Sequence, residues 1–172
     1  MKLNSSYWIE KLDLEKHPEG GYFKEAYRSD EFLDKEYLPL RFHGKRCFAT
    51  SIYFLLKNDN ISSFHRIKSD ETWHFYYGNP VNIYIIDEKE NMLKVSLGNN
   101  PEIGEVLQFT VPKNCWFAAS ISDENKEADF GYCLVGCTVA PGFDFEDFEM
   151  GDREKLLKTY PKHSEVITKH TY

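Results

Sequence analysis

The sequence has no apolar run approaching the roughly 20 residues that cross a bilayer as a helix, and it has no cluster of lysine or arginine. Met1 to Trp8 also lacks the apolar core and small-residue cleavage site of a secretory leader, so the expectation is a cytoplasmic chain. The 28 acidic side chains outnumber the 21 basic ones, giving a formal net charge of -7. Nucleic acid and anionic membrane surfaces both call for a concentrated positive face, and that balance excludes them as partners. It does not exclude a small anion, because one or two arginines inside a pocket outweigh a distant field. Repeats, low-complexity tracts and linkers are absent too, which leaves one domain over residues 1–172. The four cysteines, Cys47, Cys115, Cys133 and Cys137, read as free thiols in a cytosolic chain. Cys133 and Cys137 share one face of a strand, but no second pair is near to complete a zinc site.

What the chain does have is aromatic and branched residues in short alternating runs. Strands are expected at Tyr22–Arg28, Phe48–Leu56, Ile61–Ile67, Trp73–Tyr77, Val81–Ile86, Met92–Leu97, Val106–Val111, Trp116–Ser120 and Phe130–Val139. Turn clusters separate them, among them Gly78-Asn79-Pro80, Asp87 to Asn91, Gly98 to Pro101 and Asp123 to Lys126. Many short strands with frequent turns predict an all-β sandwich or barrel. Asn4 or Ser5 caps a short helix to about Leu12, which His17-Pro18-Glu19-Gly20-Gly21 then breaks. A second helix is expected at Asp152–Tyr160, stopped by Pro161, and Glu31–Arg46 reads as an irregular arm.

Ser63 to Gly78 gathers two histidines, two carboxylates and a run of aromatics into one turn and one strand. Alternation puts Glu71, Trp73, Phe75 and Tyr77 on one face, an aromatic-walled pocket with a carboxylate floor. On the earlier strand Phe23, Glu25 and Tyr27 share a face, with Arg28 on the other. An inward Glu25 then needs either a partner, such as an arginine at the sheet end, or a function. His74 reads as a satisfied or interfacial histidine and Arg66 as a surface ion pair or an anion contact. Phe143 to Phe148 follows a Pro-Gly turn and reads as a plug or lid over one end of the barrel.

The order of parts resembles the cupin superfamily. His65, Glu71 and Gly78 fall on the spacing of the first cupin motif, with Asp59 at the leading glycine and Ile67 at the second histidine. Pro112-Lys113-Asn114-Cys115-Trp116-Phe117 resembles the second motif, with Phe117 at its histidine. The stretches His17–Phe23, Ser63–His74 and Cys137–Phe148 are similar to signatures of one cupin subgroup of unknown function. The resemblance spans nearly the whole chain. It implies a double-stranded β-helix, or jelly roll, with short helices at both ends, and commonly a homodimer.

It also implies that His65 and Glu71 converge inside the barrel, where a carboxylate beside an imidazole should raise the histidine pKa. Two of the four usual metal-ligand positions are apolar, so no cofactor is expected, with a divalent metal at His65 and Glu71 as the weaker alternative. The function that follows is binding of a small molecule, with metal-independent isomerase or epimerase chemistry on a sugar or other carbonyl metabolite. The catalytic candidates are His65 as base, Glu71 as its orienting partner and Tyr27 or Tyr77 as acid, Tyr53 being a further source of the acid, with Arg28 or Arg66 as an anion clamp. Glu25, Arg66, Trp73, Phe75, Gln108 and Phe117 are the ligand-binding candidates. The alternatives are a non-catalytic metabolite-binding protein and a metal-dependent cupin with an unusual ligand set.

Overall fold

The computed structural model describes residues 3–121 and 130–172. The expected turn at Asp123–Lys126 lies outside them. In chain order the elements are α1 (Ser5–Lys11), β1 (Glu15–Lys16), β2 (Tyr22–Arg28), β3 (Phe32–Leu33), β4 (Arg46–Cys47), β5 (Thr50–Lys57), β6 (Ile61–Arg66) and β7 (Asp70–Gly78). They continue with β8 (Val81–Ile86), β9 (Met92–Leu97), β10 (Gln108–Val111), β11 (Trp116–Ile121), β12 (Tyr132–Ala140), β13 (Glu149–Met150), α2 (Arg153–Thr159) and α3 (Ser164–Lys169). The short pairs β1, β3, β4 and β13, and the helix α3, were not expected. Two-residue strands carry too little alternation to be read from sequence.

Two antiparallel sheets face each other. One runs β1-β2-β5-β12-β7-β10 and the other β13-β6-β11-β8-β9. Between them Phe54, Trp73, Ile83, Ile85, Phe117, Ala119, Val135 and Cys137 close a continuous apolar core. Helix α1, capped by the Asn4 carbonyl accepting from the Tyr7 amide at 2.8 Å, lays Trp8, Ile9 and Leu12 on the outer side of the larger sheet. There they cover Leu55, Tyr132 and Leu134. Helices α2 and α3 bring Leu156 and Ile167 to the outer side of the smaller sheet, over Phe64, Ile86, Trp116 and Ala118. Each sheet is thus apolar on its inner face and partly on its outer one, which is why several strands read as near-continuous hydrophobic runs.

Three bulges break the alternation, and they decide which side chains reach the interior. In β2, Glu25 pairs with Ile52 but Tyr27 pairs with the next residue, Ser51, so Ala26 is extra. In β6, His65 lies opposite Phe117 and Ser62 opposite Ala119, three residues against two. In β7, Tyr77 lies opposite Leu134 and Phe75 opposite Val135, so Tyr76 is extra. An extra residue flips the face of everything beyond it.

Candidate functional site

A cavity of about 80 Å³ opens between the sheets, several times the roughly 10–15 Å³ that one water occupies by this measure. Its floor is a set of cross-strand rows on the larger sheet. Arg28 pairs with Thr50, which pairs with Val139, which pairs with Glu71. Glu25, Ile52 and Cys137 form the next row. His65 and Ile67 enter from the side of the smaller sheet, and Phe143, Phe145 and Phe148 complete the lining.

The polar end is built around a residue of the first turn. Glu19 is buried, and its carboxyl is gripped at both oxygens by β6. The Ser62 hydroxyl donates to Oε1 at 2.8 Å, and His65 Nε2 lies 3.1 Å from Oε2. The β6 bulge makes this possible, since Ser62 and His65 are three residues apart and would otherwise point to opposite faces. The turn is tied down by its backbone. The Ser63 amide donates to the Glu19 carbonyl at 2.9 Å, and Gly20 and Gly21 follow at φ +112° and +71°. A side chain at Gly20 would collide with the Ile61 carbonyl oxygen, so glycine is required there.

The protons can be assigned from donors and acceptors. His65 Nδ1 lies 2.7 Å from the Ser63 carbonyl oxygen, which can only accept, so Nδ1 carries a proton. Nε2 and the Glu19 carboxyl must then share one further proton. The Glu19 amide donates to His17 Nδ1 at 3.3 Å, which leaves the proton of neutral His17 on Nε2. Burial dominates all three groups: it lowers the pKa of His17 and His65 and raises that of Glu19. The stable form of the His65–Glu19 pair is therefore the neutral one. The expectation that a carboxylate neighbour raises the His65 pKa is corrected, because desolvation outweighs the Glu71 charge.

Glu71 does not pair with His65. It lies on the cavity wall, and burial pushes its pKa up to about 7. The Cys137 thiol and the Trp73 indole oppose the shift. Trp73 Nε1 is nonetheless buried without a partner of full hydrogen-bond geometry. The ring of His65 rests on Phe117 at 4.1 Å and on Phe148 at 5.4 Å.

The remaining sequence candidates divide clearly. Glu25 lines the cavity and meets a fork from Arg28, Nε to Oε1 at 3.0 Å and Nη2 to Oε2 at 2.7 Å. Arg28 was expected on the opposite face, and the β2 bulge brings it to the cavity side beside Glu25, with its side chain still 42% exposed. The same bulge sends Tyr27 outward, where it is 54% exposed. The β7 bulge sends Tyr77 to the outer face, against Trp8 and Phe130. Tyr53 is also outside, edge-on to Tyr76. Gln108 is exposed on β10 opposite His74. Arg66 bonds Glu149 at 2.8 Å and stacks on Trp116 at the surface. Trp73, Phe75 and Phe117 pack in the core instead of lining the cavity. His17 and Glu19 were missed as site residues. The signal was there: two ionisable side chains in a His-Pro-Glu-Gly-Gly turn, on a loop fixed by rigid strands.

A metal does not suit this set of donors. Among the described residues no three histidine, cysteine, aspartate or glutamate side chains are disposed to hold an ion. His65 Nε2 is committed to Glu19, and Ile67 and Phe117 carry no donor.

Two facing antiparallel sheets with an interior pocket define a jelly-roll barrel. The chain belongs to the cupin superfamily (DUF985), whose family model matches residues 6–151. It is 33% identical over 156 residues to the uncharacterized protein YML079W of Saccharomyces cerevisiae, covering 87% of this chain and 76% of that one. Among solved structures it is similar to protein SO0799 of Shewanella oneidensis, at 37% identity, TM-score 0.87 and 99% of both chains. A hypothetical protein from Leishmania major matches at 37% identity and TM-score 0.89, also over 99% of both chains. Oxalate decarboxylase from Bacillus subtilis shares the fold alone, at 16% identity and TM-score 0.55 over 92% of this chain and 37% of that one. Among the described residues no helix is long and apolar enough to cross a membrane.

Proposed function

We propose that the cavity is the active site of a metal-independent isomerase or epimerase acting on a small carbonyl compound. The observation that carries this reading is Glu71, a buried carboxyl on the cavity wall with a pKa of about 7. Such a group is divided between acid and base at neutral pH, the condition under which proton transfer in both directions is efficient. In the proposed step the Glu71 carboxylate removes a proton from the carbon beside the carbonyl. The C–H electron pair moves into an enolate, and the oxygen is met by the proton shared between His65 and Glu19. Return of the proton from Glu71 to the neighbouring carbon, as the hydroxyl on the first carbon gives its proton back to the His65–Glu19 pair, moves the carbonyl by one position and restores both groups. Glu71, not His65, is the base in this scheme, because the imidazole is already engaged with Glu19 and Ser63.

The test is wash-in of deuterium from heavy water into carbonyl compounds, followed by NMR. Wild-type protein should catalyse exchange, and Glu71→Gln should lose it by two or more orders of magnitude, as expected for loss of a general base. Equal exchange in both would sink the reading. Binding without turnover is the second reading, favoured by how completely Glu19 and His65 satisfy each other. It predicts a ligand that raises Tm and is recovered unchanged. Homodimerisation belongs to the same proposal. The exposed apolar side chains of Tyr27, Phe32 and Leu40 support it, and light scattering tests it.

A further inference from the structure

Among the described residues lining the cavity, Arg28 is the only lysine or arginine. Its guanidinium is held from two sides. Nη1 donates to the Phe143 carbonyl at 3.2 Å and to Cys47 Sγ at 3.5 Å, contacts to backbone and to a buried thiol that stay in place. Nε and Nη2 form the fork onto Glu25, whose side chain is 41% exposed and can turn into water. A fork of two parallel N–H donors is the arrangement arginine uses to take any carboxylate, including a ligand's.

The register supplies the second half. Arg28 and Glu71 end one row, with Thr50 and Val139 between them. Three strand spacings of about 4.8 Å put their backbones roughly 14 Å apart. Both side chains line the cavity, so together they narrow the span to be bridged to a few bonds. Between them Thr50, Ile52 and Val139 line the wall, apolar but for the Thr50 hydroxyl, which already accepts from the Phe143 amide at 3.0 Å.

Resting on the proton-transfer reading above, we propose that the substrate is a short-chain carboxylic acid with a carbonyl or hydroxyl group near its carboxylate. Its carboxylate replaces Glu25 on Arg28, and its reacting carbon is presented to Glu71. Glu25 is then a placeholder that keeps the guanidinium paired and oriented until the substrate arrives.

Isothermal titration with 2-oxobutyrate and with its uncharged amide tests this directly. The acid should bind at least tenfold more tightly than the amide. Arg28→Gln should weaken acid binding at least tenfold, Arg28→Lys should restore part of it, and Glu25→Gln should bind the acid as well as or better than wild type. Equal binding of acid and amide, no effect of Arg28→Gln, or a Glu25→Gln loss as large as that of Arg28→Gln would each overturn the assignment. So would failure of the acid to bind at millimolar concentration. The two readings separate in heavy water. Exchange into neutral carbonyls that survives Arg28→Gln removes this assignment and leaves the reaction. Arg28-dependent binding without exchange keeps the assignment and removes the reaction.

Discussion

Ser62 and His65 hold opposite oxygens of one buried carboxyl, Ser62 at 2.8 Å from Glu19 Oε1 and His65 at 3.1 Å from Oε2. With Nδ1 of His65 protonated toward Ser63, a neutral pair is a carboxylic acid donating to a bare imidazole nitrogen. Glutamine has the shape of that protonated acid, with an amide to donate to His65 and a carbonyl to accept from Ser62. Glu19→Gln should therefore cost no more than about 1 kcal/mol, the worth of one ordinary hydrogen bond. Glu19→Ala strands both partners and should cost about 3 kcal/mol. If the pair were ionic, Glu19→Gln would leave an imidazolium unpaired and cost about as much as the alanine. Urea denaturation of the two variants decides the matter, with 15N shifts of the imidazole checking the tautomer.

Glu71 gives the protein an unusual dependence on pH. Its folded pKa, about 7, lies above the ordinary 4.5, so between those values the folded state holds a proton that the unfolded state has released. Stability then falls as pH rises through that window, since it rises with pH only where the unfolded chain binds more protons. The full effect is on the order of 3 kcal/mol, from 1.36 kcal/mol for each pKa unit. Glu71→Gln removes the penalty. It should be more stable than wild type at pH 8 and equal to it near pH 4, and thermal melts across that range measure the difference.

The same residues show how far the sequence could be read. Short runs of aromatic and branched residues at Val81–Ile86 and Trp116–Ser120 located strands that the structure contains, and the spacing of His65 and Glu71 pointed to a pocket that both line. Alternation failed where a strand carries an extra residue. Tyr27 and Tyr77 were expected inside and are outside, and Arg28 was expected to face away from Glu25 and grips it. A bulge is set by how a strand pairs with its neighbours, many residues away in the chain, and a single-strand period contains no trace of it. Glu19 was hidden for a different reason. The conformation of a Pro-Glu-Gly-Gly turn is legible locally, but the strand it leans on is not.

Gly20 fixes that turn. At φ +112°, and with the Ile61 carbonyl oxygen where a Cβ would go, alanine must shift either the turn or β6. The conformational strain alone is about 1–3 kcal/mol. Because Ser63 donates to the Glu19 carbonyl, the displacement should carry the carboxyl off His65. Gly20→Ala is expected to lower Tm and to change the His65 imidazole shifts in the same sample. A loss of stability with unchanged imidazole shifts would show that the turn and the carboxyl are not coupled.

The aromatic strap that lines the cavity, Phe143 to Phe148, is pinned by a buried ion pair. Arg46 forks onto Asp147, Nε to Oδ2 at 2.6 Å and Nη2 to Oδ1 at 2.7 Å, and Lys68 adds a contact at 3.2 Å. Burial pushes the Asp147 carboxyl up, but the hydrogen bonds from Arg46 and Lys68 outweigh it and hold the pKa below the usual carboxylate range. A depressed acid contributes stability above its unfolded pKa and loses it as pH falls through the folded value, the reverse of Glu71. Removing one partner leaves a buried charge with less than its due, so Arg46→Ala should cost about 3 kcal/mol. Replacing both by apolar residues, as in Arg46→Met with Asp147→Leu, should recover much of that, because neither charge is then desolvated. Phe148 stacks on His65 and Phe143 accepts from Arg28, so loosening the strap should reach the site as well. Hydrogen exchange over residues 143–148 should accelerate in Arg46→Ala and return toward wild type in the double variant. If the double variant is stable and its strap still exchanges fast, the charges hold the strap for specificity of closure and not for stability.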